Sequence, residues 1–132
     1  MNALQEFLLA NPVDNLTQKV RVSERLKDFE FEVKAITGGE YNDYQQRCII
    51  NPNSNKKRSF DTKRFNELIV LNHTVNPNFK DAEFIKRAEC QTAAQAMYKY
   101  LLAGEINELA AQILKLSGFD QDFEDTIEEA KN

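Results

Sequence analysis

The 132-residue chain is 42% hydrophobic and 29% charged, with a formal net charge of −4, two cysteines and one histidine. A chain of that size fits a single domain over residues 1–132 whose core needs neither disulfides nor a metal, and its acidity argues against a surface that binds nucleic acid throughout. Nothing approaches the roughly 20 apolar residues of a membrane span, and residues 1–7 lack the basic and apolar regions of a secretory signal, so a cytoplasmic protein with reduced thiols is expected.

Leu4, Phe7 and Leu8 fall at i, i+3 and i+4 and predict a short helix that stops at Asn11-Pro12. The period then changes to two. Val20 and Val22 alternate with polar residues, and so do Phe29, Phe31, Val33 and Ala35, which predicts a β-hairpin with one buried face. Thr37 followed by Glu40 is a capping box that opens a helix over residues 38–48. Asn51-Pro52-Asn53-Ser54-Asn55 is a loop.

Asp61 caps the next helix, with Phe65, Leu68, Ile69 and Asn72 as its stripe, and Pro77 marks a break. Asp81 caps a short helix carrying Phe84 and Ile85. Thr92 opens another with Ala96, Met97 and Tyr100 on one face. A longer helix shows Ile106, Leu109, Ala110, Ile113 and Leu114, with Gly118 as the residue that ends it. Asp120 caps a last helix in which Phe119, Phe123 and Ile127 recur every four residues. The expected fold is α+β: a mainly α-helical small domain with one N-terminal β-hairpin packed on helices.

Chemistry is sparse. His73 closes a helix, where a lone histidine ordinarily complements the helix dipole at the surface. One histidine without a paired-cysteine motif does not make a zinc site. Cys48 and Cys90 read as structural thiols, because a nucleophile would need His73 beside one of them. No glycine-rich phosphate loop is present and no cofactor is expected; the acids over residues 120–129 form a solvated face and not a calcium loop.

Apolar stripes and segregated charge remain. The stripe Phe119, Phe123, Ile127, with Ile106, Leu109 and Ile113 on the preceding helix, is the candidate partner-binding surface, in the manner of a helix gripped through i, i+4 anchors. Lys56, Lys57, Arg58, Lys63 and Arg64 form a basic run, and Asp122, Asp125 and Glu129 belong to an acidic one. Head-to-tail contact between the two would join copies of the chain. The competing reading is a small nucleic-acid-binding regulator that uses residues 56–64, with Phe60 and Phe65 interleaved for stacking.

Phe31-Glu32-Val33-Lys34-Ala35-Ile36-Thr37 followed by Glu40, then Cys48, Val75-Asn76-Pro77-Asn78-Phe79-Lys80-Asp81, Leu101-Leu102-Ala103-Gly104-Glu105-Ile106 and Gly118-Phe119-Asp120 stand in an order that resembles the XkdN-like phage tail assembly chaperones. The ending Glu128-Glu129-Ala130-Lys131-Asn132 does so too. The resemblance implies a non-enzymatic protein of the bacterial host cytoplasm. Such a protein binds the tape measure protein of a phage or prophage and keeps it soluble during tail assembly. It carries over no catalytic residue and no binding motif. It also implies a longer form made by ribosomal frameshifting, since Ala-Lys-Asn is encodable as GCA AAA AAC, a slippery run.

Overall fold

The computed structural model describes residues 1–51 and 57–119. Helix α1 (Ala3–Ala10) is closed at both ends. Asn2 and Gln5 exchange backbone-to-side-chain hydrogen bonds of 2.9 Å, and Asn11 returns its backbone and side-chain N–H groups to the Phe7 carbonyl. After a 3-10 turn at Val13–Asn15, β1 (Thr17–Val20) pairs antiparallel with β2 (Phe31–Lys34), Val20 opposite Phe31. The predicted hairpin is therefore present, but its strands are shorter than the alternation suggested. Turn bonds from Lys27 N–H to Glu24 and from Phe29 N–H to Leu26 fold the connection. They leave Phe29 65% exposed while Phe31, Val33 and Ala35 go inside.

The hairpin has a third strand that the pattern did not reveal. β5 (Thr74–Asn76) lies on the other side of β2, giving the order β1-β2-β5, with a register shift between Glu32 and Val33. Three residues are too few for a period of two to show, and Pro77 had suggested only a break. A separate ladder joins β3 (Ile49–Ile50) to β4 (Ser59–Phe60).

The helices follow their caps. α2 (Gly38–Arg47) starts at Thr37, whose hydroxyl accepts from Glu40 N–H while the Glu40 carboxylate accepts from Thr37 N–H. Asp61 accepts from Arg64 N–H and opens α3 (Thr62–His73). α4 (Ala82–Arg87), α5 (Ala93–Tyr100) and α6 (Ala103–Leu116) complete the described helices. Gly118, at φ +101°, ends α6 as a Schellman turn: Phe119 N–H reaches the Leu114 carbonyl at 3.0 Å and Gly118 N–H reaches Lys115.

α6 lies across the sheet beside α3 and supplies much of the core. Val33, Ile69, Val70, Met97, Leu109 and Ile113 have no exposed surface. Burying each contributes about 1.5–3 kcal/mol. His73 departs from its expected place at the surface. It is fully buried, with Nε2 2.8 Å from Tyr44 Oη, because α3 runs directly into β5 and the sheet draws its last residue inward. Among the described residues no helix is long and apolar enough to cross a membrane.

Candidate partner-binding surface

A partner-binding surface is sought among the apolar side chains that the fold leaves uncovered. Phe29, Val75, Tyr100 and Leu102 are exposed at separate places, and two regions gather several such side chains each. The first is α1 and its lead into β1, where Leu4, Phe7, Leu8, Val13 and Leu16 are all exposed. The second lies where the end of α6 meets the β3–β4 ladder. Here the Tyr41 ring is 5.1 Å from Phe119 and 5.4 Å, edge-on, from Phe65, and Phe65 is 5.3 Å from Phe60. Edge-on and tilted contacts at these spacings are the favoured aromatic geometry. They form one row of four rings, in which Phe65 is buried, Tyr41 is half-buried and the ends, Phe60 and Phe119, are 43% and 46% exposed. Ile50, on the strand beside Phe60, is exposed as well.

The Schellman turn at Gly118 aims Phe119 at this row, and the cap at Asp61 sets Phe65 one turn into α3. Lys57 and Arg58 are exposed on the approach to β4. Lys63 and Arg64 stand in the first turn of α3. There Lys63 Nζ lies 5.2 Å from the centroid of the Tyr98 ring, and Arg64 pairs with Glu67 at 3.5 Å. Of the four described members of the basic run, Lys63 and Arg64 are thus engaged by neighbours in their own domain and stand apart from Lys57 and Arg58.

Of the residues singled out by pattern, Phe119 is on this surface. Ile106, Leu109 and Ile113 are not: they are buried against the sheet and α3, so that face of α6 is the domain's own core. Phe123, Ile127, Asp122, Asp125, Glu129, Lys56 and the predicted last helix lie outside the described residues. Pattern did not single out Ile50 as a binding residue, and it placed Phe60 only with the nucleic-acid reading. Both sit on short strands that give no periodic signal. The α1 row was visible as an apolar face, but nothing in a linear sequence says that a face has no cover.

The polar interior centres on Glu105 and His73. Glu105, 1% exposed, accepts from Ser23 Oγ at 2.5 Å, from Arg25 Nη2 at 2.6 Å and Nε at 3.1 Å, and from Leu102 N–H at 2.7 Å. Hydrogen bonds from Arg25 hold its carboxyl at about 2, well below the usual 4.5. Burial pushes the Cys48 thiol up, away from the thiolate a nucleophile requires, and Cys90 Sγ contacts the Ala88 carbonyl. Burial also lowers the pKa of His73, whose Nε2 is occupied by Tyr44. A groove lined by Lys63, Asn66, Tyr98, Leu101 and Asn107 has no carboxylate, histidine or cysteine in its wall.

The sequence and fold both have relatives. The uncharacterized protein YqbN of Bacillus subtilis (strain 168) is 27% identical over 138 residues, which cover 98% of this chain and 93% of that protein. A crystal structure of protein YqbN superposes with a TM-score of 0.69 at 23% identity, spanning 91% of this chain and 99% of that one, and shows that the fold is shared. Residues 4–131 match the family described as phage XkdN-like tail assembly chaperone proteins, and the chain belongs to that family.

Proposed function

We infer that this chaperone acts on the tape measure protein of its phage or prophage, in the cytoplasm of the bacterial host. It keeps that long chain soluble until tail tube subunits enclose it. The observation that carries this reading is the aromatic row Phe119–Tyr41–Phe65–Phe60, exposed at both ends and bordered by Ile50, Lys57 and Arg58. Apolar capture of this kind needs no sequence code. Covering about 300 Å² at about 25 cal/mol per Å² gives a gross gain of ~7 kcal/mol, much of which the entropy of association cancels. Reversible binding suits a protein that must let its client go. Phe123 and Ile127 follow Phe119 at intervals of four and extend the gripping stripe, while Asp122, Asp125 and Glu129 supply charge that keeps the complex in solution.

Co-expression with the cognate tape measure protein tests this. The client should stay soluble and co-purify with the wild-type chain. Phe60→Asp and Phe119→Asp should each lower the soluble client several-fold while circular dichroism shows the domain still folded, its melting temperature lowered only by the loss of one aromatic contact. Full capture by both variants would refute the assignment of this surface.

A further inference from the structure

α1 is a complete helix, capped at both ends, in which none of the eight residues is buried. Alone in water a helix below roughly 12–15 residues is marginal. Its apolar face is also large. Leu4, Phe7 and Leu8 form one row at 65%, 61% and 59% exposure; Met1, just ahead of the Asn2 cap, and Val13 and Leu16, between α1 and the start of β1, are exposed as well. β1 is an edge of the three-stranded sheet, so the strip ends at an open strand.

We propose that this strip is a homodimer interface, in which α1 and the lead into β1 of two copies pack against each other about a two-fold axis. The area fits. On ordinary residue areas the six side chains expose about 650 Å² per chain, so a reciprocal pair removes ~1,300 Å² from water, within the range of specific interfaces. The charge fits as well. Among the first 16 residues only Glu6 and Asp14 have ionisable side chains, so the strip meets its own copy with little repulsion. A two-fold pair buries the same patch on both copies and leaves no apolar strip open to a third. The inference concerns a different surface from the proposed client row and does not depend on it.

Sedimentation of the full chain alone, across a concentration series and at low and high sodium chloride, tests the interface. A dimer that persists in high salt is expected. The double variant Leu4→Asp, Phe7→Asp should weaken association by roughly thirtyfold or more. Its circular dichroism and melting temperature in dilute solution should match wild type, since neither side chain is buried in its own domain. Phe119→Asp should leave the dimer intact. A wild-type monomer at every concentration overturns the proposal, including the case where the strip is covered only when a client is added. So does a dimer that survives the double variant. Dissociation by salt overturns it too, pointing instead to ion pairs between residues 56–64 and Asp122, Asp125 and Glu129.

Discussion

Replacing Glu105 with glutamine tests whether the buried carboxylate helps to hold the hairpin to the helices. Its oxygens accept four hydrogen bonds, two of them from the fork of Arg25 and one from Ser23 on the β1–β2 connection. The amide keeps the volume but loses the charge. A carboxyl held at about 2 against the usual 4.5 sets a ceiling of ~3 kcal/mol on the stability linked to its ionisation. Arg25 is 49% exposed, and water screens the pair, so about 2 kcal/mol is expected at neutral pH. The pH dependence follows from the sign of the shift. The folded carboxyl stays ionised where the unfolded one takes up a proton, so the stabilisation is complete above 4.5 and is lost as pH falls towards 2. Urea unfolding of wild type and Glu105→Gln, repeated down through that window, should show a gap that closes in acid. A gap that stays constant with pH, or is absent at neutral pH, refutes the reasoning.

Leu109→Ala empties a fully buried site between α6, α3 and the sheet and should cost about 2–5 kcal/mol by chemical denaturation, whereas Leu8→Ala should lie within about 0.5 kcal/mol of wild type in dilute solution. Tyr44→Phe leaves His73 Nε2 without its buried partner and should cost about 1–2 kcal/mol. Because burial lowers the pKa of His73, the unfolded chain binds the proton first, and wild-type stability should decline as pH drops below the usual 6.5 in a series of thermal melts. Thr37→Ala removes one half of a capping box and should cost about 1 kcal/mol, again by urea titration.

Local signals were legible where neighbours in sequence settle the conformation. Thr37 with Glu40 marked the start of α2, Asp61 that of α3, and Gly118 the end of α6, because each cap closes within a few residues. The alternation through Phe31, Val33 and Ala35 gave the hairpin. What the pattern lacked was the identity of the cover. The stripe of Ile106, Leu109 and Ile113 has the same spacing whether it meets a client or its own domain, and its neighbours on β2 and α3 lie far away in sequence. For the same reason the α1 row was legible as apolar but not as uncovered. His73 was placed by the helix end it closes, whereas its burial comes from β5 joining β2. Glu105 gave no hint of burial, since Arg25 stands eighty residues earlier. In the proposed binding surface, Phe119 was singled out by its interval to Phe123. Phe60 and Ile50 gained their place only when two two-residue strands paired.

The position of β2 at the centre of the sheet has a consequence for synthesis. Its first neighbour leaves the ribosome before it, but its second arrives some forty residues later, and α6 later still. A two-stranded hairpin is barely stable by itself. During that interval Phe31 and Val33 lack the third strand and the face of α6 that cover them in the finished fold, so the nascent chain passes through a sticky stage of its own. A protein whose family serves tail assembly must therefore complete its own sheet before it is ready for that work.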